Sequence, residues 1–484
     1  MARGESLCIM VLGVVGTLTG ESYGGCVATA VSSRAHMTHH GPRSECNPSL
    51  VALVLATASV APAQDPPKVV RLEPGNRAVE VDAKRATKLV IEFDQPMKRS
   101  GFSICGGGPQ FPKITKRPKW KSKTTLVIEV ELKPDHSYRM SLNCPSAKNF
   151  RSAKGVALVP VSWTFTTLPT KLRSIKEQRA RNEAGFVALQ DALAEKYSYY
   201  EHKKIDWKAL FKKHRKAILA AHTDRGWAFV VGQMLSVAND LHMYLRVGGQ
   251  TIGTGSRSVD PLYRPQLIGK YVGSLSQPTP GISTAKTKDG IAYLLISGWS
   301  RNIDFDDVNE WIVAMKDAKA MVIDVRPNSG GVETLARQVA QWFVPGTKTY
   351  AKHATRKGKG ATNFYNVSHR KIQGKPKKER FGKPVVVLMS KYCMSSNEAF
   401  LLMMRQAEKC QLVGQTSYGS SGNPRGKALP NGVEIMLPSW KVMRLDGTVF
   451  EGEGLKPDVE VVPTAKELEK RDPILEKALE LLRK

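Results

Sequence analysis

Between residues 68 and 168, polar and apolar residues alternate with a period of two. In 88–93 (Lys-Leu-Val-Ile-Glu-Phe), 125–130, 138–142 and 161–165, every second side chain falls on one face, as in half-buried strands. Turn formers separate these runs at Pro74-Gly75-Asn76, Pro134-Asp135 and Lys154-Gly155. Short strands punctuated in this way predict a β-sandwich over 66–168. After a linker at 169–174 the period changes to that of a helix. Apolar residues recur at Phe186, Leu189, Leu193 and Tyr197, then at Leu210 and Ile218, then at Phe229, Met234 and Val237. A small helical subdomain over 175–245 follows from this spacing. Residues 246–290 read as a Gly/Ser/Pro-rich connection. Further on, 291–297, 320–325 and 385–390 are unbroken apolar runs, the pattern of strands buried on both faces. Amphipathic helices at 304–318 and 332–343 lie between them, which predicts an α/β domain over 246–465. Residues 346–381 read as a basic loop whose use as a lid the sequence leaves open. An amphipathic helix over 466–484 ends the chain.

Composition adds constraints. The apolar share of 41% supports real cores, and no apolar run is long enough to span a bilayer. Residues 49–63 are a short apolar stretch ending in Ala61-Pro62-Ala63, a small-x-small cleavage pattern. The expectation is a signal segment within 1–63, its working part at about 40–63, and an exported protein. Cysteine use agrees. Cys105 and Cys144 fall in the sandwich and are expected to pair in an oxidising compartment. Cys393 and Cys410 are left either paired or as buried thiols. Histidines and cysteines lack ligand spacing, so no metal and no cofactor are expected. The 73 Lys and Arg against 43 Asp and Glu give a net charge of +30. The basic runs at 113–123 and 356–380 lack interleaved stacking aromatics or a nucleic-acid module. They read as solvated faces, with anionic cell-surface polymers as the second choice and no nucleic-acid partner.

Four segments carry candidate chemistry. In the first, an apolar strand turns through Cys393-Met394-Ser395-Ser396-Asn397-Glu398 into a helix. A serine at a helix start can be a nucleophile whose oxyanion meets backbone amides. Ser395-x-x-Glu398 is equally a capping box. The second is the run from Asp324 and Arg326 to Gly330-Gly331, where paired glycines let the backbone approach a substrate. Asp324 and Arg326 are placed to form a buried ion pair, and a plain strand-to-helix turn is the alternative. The third is Asn239-Asp240-Leu241-His242, with a histidine that serves either as a base or as a structural residue. The fourth is the Gly-rich stretch from Asp446 to Asp458, in which Glu451 can orient a histidine or sit in a solvated hairpin.

Taken in order, these segments resemble the tail-specific, or C-terminal processing, protease family of serine peptidases over about residues 180–465. The carriers are the strand–glycine element at 324–331, Ser395-Ser396-Asn397-Glu398, Gly414-Gln415-Thr416-Ser417-Tyr418-Gly419, Leu429-Pro430-Asn431-Gly432, and Gly454-Leu455-Lys456-Pro457-Asp458. The resemblance implies a crotonase-like stack of ββα units shared with the Clp protease. One branch of the family uses a Ser–Lys dyad, its lysine following the glycine that corresponds to Gly419. Here that next residue is Ser420, and Lys427 does not align. A second branch, similar to the tricorn protease core, uses a histidine base and a glutamate. It implies Ser395 as nucleophile, His242 as base and Glu451 as orienting carboxylate, with Glu453 as runner-up. The amides of Gly330, Gly331 and Ser396 would form the oxyanion hole. That branch has a serine just before its histidine, whereas this chain has Leu241.

Residues 68–168 in turn resemble the bacterial Ig-like domains of surface proteins, through Phe93-Asp94-Gln95-Pro96-Met97, the turn from Leu132 to Tyr138, and Trp163-Thr164-Phe165-Thr166-Thr167. The expectation is an exported serine endopeptidase acting on protein or peptide substrates, with no PDZ module in the short 246–290 stretch. The alternatives are an inactive scaffold on the same fold and a basic surface-binding protein that works through the Ig-like domain.

Overall fold

The computed structural model describes residues 65–484 apart from 145, 146, 256 and 258. The expected signal segment lies outside the described residues. Strands from Val69 to Thr167 build two sheets packed face to face. One orders Val69–Glu73, Lys88–Phe93, Thr125–Glu131 and Lys113–Ile114, with Lys119–Trp120 also on Thr125–Glu131. The other orders Ala78–Val81, Val161–Thr167, Ser137–Leu142 and Ile104–Cys105. The alternating apolar positions fill the space between them. Leu89, Ile91, Leu126 and Ile128 from one sheet meet Tyr138, Met140, Trp163 and Phe165 from the other. Cys105 and Cys144 form a disulfide.

Three helices follow, Ile175–Lys196, Trp207–Leu219 and Asp224–Leu235. Each starts at a residue that takes up an orphan helix amide: Ser174, Asp206 and Thr223 accept from Glu177, Ala209 and Gly226. Their apolar faces close on a four-stranded sheet of Gln250–Gly253, Tyr244–Val247, Glu434–Pro438 and Pro424–Ala428. Val237 departs from the expected apolar face and is exposed. The helix ends at Leu235, and a 3-10 turn at Ser236–Ala238 swings it outward.

The central sheet orders Ile282–Lys286, Ile291–Ile296, Ala320–Asp324, Val385–Met389, Cys410–Gly414 and Val459–Glu460. All neighbours from Ile291–Ile296 onward are parallel, and Ile282–Lys286 is antiparallel at the edge. Alternation sends successive residues into two cores. Met321, Ile323, Val385 and Val387 pack beneath the helices Phe305–Ala314, Glu333–Ala340 and Ser396–Met404. Val322, Val386 and Leu388 pack beneath Pro265–Val272 and Pro473–Arg483. Helices on both faces explain why these strands carry no polar stripe.

Three expectations are corrected. Residues 246–290 are not a bare connection, since they supply a hairpin strand, a helix and the sheet's edge strand. Residues 346–381 hold an antiparallel hairpin, Thr347–Thr355 with Ser368–Gln373, that pairs further with Trp440–Met443. Its inward residues Tyr350, Ala351, Ala354 and Ile372 are few and spaced among lysines, histidines and threonines, which hides the strand pattern. The terminal helix begins at Pro473, later than expected, because residues 467–469 form a separate 3-10 turn. Among the described residues, no helix is long and apolar enough to cross a membrane.

Candidate active site

The buried strand Val385–Met389 turns through residues 390–394 and opens the helix Ser396–Met404. Ser395, at the join, has φ 58° and ψ −129°. A side-chain-bearing residue there costs roughly 1–3 kcal/mol, so its surroundings must hold it. They do so through its own amide. That N–H is shared between the Ser420 carbonyl at 2.8 Å and Glu398 Oε2 at 3.1 Å. The Ser395 hydroxyl is left for another partner, His242 Nε2, at 3.0 Å.

His242 reaches this position by a sharp reversal. After the 3-10 turn, Asn239 adopts φ 45°, ψ 45°, and Asp240 then turns inward. Asp240 Oδ1 accepts the His242 amide at 3.0 Å, and Oδ2 accepts the Tyr197 hydroxyl at 2.9 Å. Burial is the largest influence on the imidazole and pulls its pKa below the ordinary 6.5. The Asp240 charge opposes this, while Arg257 and Lys203 add to it. A neutral ring is therefore the resting form near pH 7.

The ring's second nitrogen corrects an expectation. His242 Nδ1 lies 3.0 Å from Ser420 Oγ, and no carboxylate among the described residues hydrogen-bonds to the ring. With Nδ1–H donating to Ser420, Nε2 keeps the lone pair that faces Ser395. Ser420 is the residue that follows Gly419 in the chain. Glu451 serves elsewhere. Its Oε1 accepts Lys203 Nζ at 2.8 Å and its Oε2 accepts the Ser421 amide at 3.0 Å. Burial pushes its carboxyl up to about 8. Glu451 thus braces the backbone one residue beyond Ser420. Glu453 is exposed and sits 3.6 Å from Arg444. Lys427 is exposed on the edge strand Pro424–Ala428.

Glu398 joins the parts. Fully buried, it accepts Ser417 Oγ at 2.6 Å and the Gly419 amide at 2.8 Å on Oε1. Its Oε2 takes the amides of Ser420 and Ser395, both at 3.1 Å. Burial pushes its carboxyl up to about 7 while these donors hold it down. The sequence signalled Glu398 only as half of a capping box. That half is present, since the side chain does bind the Ser395 amide.

The glycine pair lies directly against the serine. A Cβ on Gly330 would stand 2.8 Å from Ser395 Cβ, and one on Gly331 would stand 2.1 Å from the Trp299 carbonyl. Both glycines have positive φ, at 104° and 134°. Of the three expected oxyanion donors, the Gly330 amide is already spent on Asn328 Oδ1 at 2.8 Å. The amides of Gly331 and Ser396 donate to no protein group among the described residues. Asn397 clamps this loop to the nucleophile's helix through the carbonyls of Val325 and Asn328, at 3.2 and 3.0 Å. The expected Asp324–Arg326 pair is present, fully buried, at 2.6 Å, and Arg326 also meets Asp472 at 2.8 Å. Cys393 and Cys410 remain free thiols.

Residues 290–461 match the family model described as Peptidase family S41. Over this segment the chain is similar to peptidase family S41. The chain is similar to carboxy-terminal processing protease CtpB of Bacillus subtilis, 24% identical over 172 residues, 35% of this chain and 34% of the relative. It is also similar to CtpA of the same organism, 25% identical over 145 residues, 30% and 29% of the two chains. The chain thus spans about a third of the length of these curated relatives. Among solved structures, a candidate peptidase from Parabacteroides merdae shares the fold at a TM-score of 0.55 and 22% identity, over 62% of this chain and 96% of that one. The match opens at Gly290 and so leaves His242, the sandwich and the three helices outside the S41 segment.

Proposed function

We propose that the protein is a serine endopeptidase that works through an acyl-enzyme. The observation that carries this reading is the Ser395 hydroxyl, raised on a strained turn, 3.0 Å from His242 Nε2. Ser395 Oγ attacks the peptide carbonyl while His242 Nε2 takes its proton. The tetrahedral oxyanion is met by the amides of Gly331 and Ser396, the latter at a helix N-terminus. Collapse breaks the C–N bond, and His242 returns the proton to the leaving amine. Water, deprotonated by the same nitrogen, then releases the acyl group. Ser420 fixes the tautomer and accepts from the imidazolium. Asp240, whose charge favours protonation, supports that charged state.

The test uses a fluorophosphonate probe and a peptide substrate. Parent protein should be labelled at Ser395. Ser395→Ala and His242→Ala should each lose hydrolysis by ~10⁴-fold or more while remaining folded. Lys427→Ala should match the parent. Activity retained in His242→Ala but lost in Lys427→Ala would overturn the assignment.

The names of the curated relatives support substrates processed near their C-termini. The disulfide in the sandwich supports export to an oxidising compartment. The Phe93-to-Met97 and Trp163-to-Thr167 segments support reading that sandwich as Ig-like, with the exposed Lys119, Lys121 and Lys123 available to anionic surface polymers. N-terminal sequencing of exported protein should begin at Gln64 or within a few residues, and an intact Met1 there would refute the signal.

A further inference from the structure

The segment that bears His242 is held from outside the S41 segment. It is the short run between the helix Asp224–Leu235 and the hairpin Tyr244–Val247 with Gln250–Gly253. Arg225, in the first turn of that helix, is only 3% exposed and reaches across to the hairpin. Its guanidinium donates to Gln250 Oε1 at 2.7 Å and to the Val247 carbonyl at 3.4 Å. The same group donates to the sandwich, to Asp135 Oδ1 at 2.9 Å and Ser137 Oγ at 3.3 Å. A buried guanidinium needs a carboxylate partner, and Asp135 of the sandwich supplies it.

The sandwich grips both sides again. On the hairpin, the Ser137 amide donates to Gln250 Oε1 at 2.9 Å, and Gln110 Nε2 donates to the Thr251 carbonyl at 2.9 Å. On the helix, Glu80 accepts the His222 amide at 2.7 Å and lies 2.6 Å from its Nδ1, which sets a carboxylate at the positive end of Asp224–Leu235. Gln233 Nε2 donates to the Arg77 carbonyl at 3.1 Å. A module that only spaces or anchors the enzyme needs none of these contacts.

We propose that the sandwich is a clamp that sets the position of His242, and that Arg225 is the positioning residue through which it acts. The inference rests on His242 being the base. Helix and hairpin both run from the turn that carries the imidazole and pack on each other through Met234, Leu235, Leu245 and Ile252, with Arg225 tying their far ends. Freeing Arg225 from Gln250 and Val247 lets them part and draws Nε2 away from Ser395. Misplacement by about 1 Å costs on the order of 100-fold in rate.

The test uses the full chain with Arg225→Ala, Arg225→Lys and Asp135→Asn. Active sites are counted by end-point reaction with a fluorophosphonate, and hydrolysis is expressed per counted site. Arg225→Ala should lower kcat per counted site by ~10–100-fold with KM within about twofold; loss of folded protein would lower the site count and leave kcat per site unchanged. Arg225→Lys should recover part of the rate, and Asp135→Asn should lose a smaller factor in the same direction. A kcat per site equal to the parent's in Arg225→Ala overturns the clamp. If that variant does not fold, the same result in Asp135→Asn overturns it. A parent that neither reacts nor hydrolyses overturns the peptidase reading itself, and the clamp with it.

Discussion

Ser395 and His242 lie far apart in the chain yet 3.0 Å apart in space, and each is held by its own main chain. The serine is fixed by an amide shared with Glu398 and Ser420, the histidine by an amide on Asp240. The sequence pointed to both residues but misassigned the third partner. Glu451 stands in the right region, yet its carboxylate is drawn to Lys203 and to Ser421. Nothing local in the sequence announces that competition. Ser420 was visible only as a lysine that was absent. Ser420→Ala should therefore lower kcat by ~10-fold or more, and Glu451→Gln by less, in steady-state assays on one substrate. The reverse order would return the orienting role to Glu451. The pH profile follows from the burial of His242. The base acts only when neutral, and its folded pKa lies below 6.5, so the acid limb of kcat/KM should fall below pH 6.5. A limb centred above pH 7 contradicts this placement.

At the scale of elements, the strand, turn and helix around Ser395 were legible because the strand is apolar on both faces and Ser395-x-x-Glu398 marks a helix start. The capping and catalytic readings of that motif turn out to be compatible. Glu398 performs the capping half while the hydroxyl faces His242. The wider work of Glu398, collecting donors from 417, 419 and 420, depends on a loop distant in sequence and had no signal. Glu398→Gln keeps the shape but replaces one acceptor oxygen with a donor. It should cost ~1–3 kcal/mol of stability by denaturant unfolding and lower kcat as well. Unchanged stability would mean that the carboxylate is not a hub. Gly331→Ala tests the glycine element. Its Cβ would overlap the Trp299 carbonyl, so the loop must shift and the amide with it. Activity should fall by at least ~10-fold, the scale of a lost oxyanion donor. The hairpin at 347–373 escaped notice because its strands carry lysines and histidines where alternation would show apolar residues.

At the scale of the molecule, the order sandwich, helices, α/β domain was readable from three successive periodicities. How the sandwich seats on the helices was not, because Glu80, Asp135 and Arg225 are ordinary charged residues until the chain folds. The disulfide was foreseen from two cysteines in one small β unit. Closing a loop of 39 residues, it should stabilise the sandwich by about 2–4 kcal/mol. Replacing both cysteines with serine should lower the thermal transition measured by calorimetry, and an unmoved transition would show that the bridge contributes nothing.

The most direct measurement of the central claim is the rate at which a fluorophosphonate modifies Ser395, followed by intact-protein mass spectrometry across pH. The parent should gain one adduct, located on Ser395, at a rate that rises with pH through a single step below 6.5, and His242→Ala should lose that step and nearly all of the rate. Labelling at another residue, or a His242→Ala rate equal to the parent's, would contradict the account.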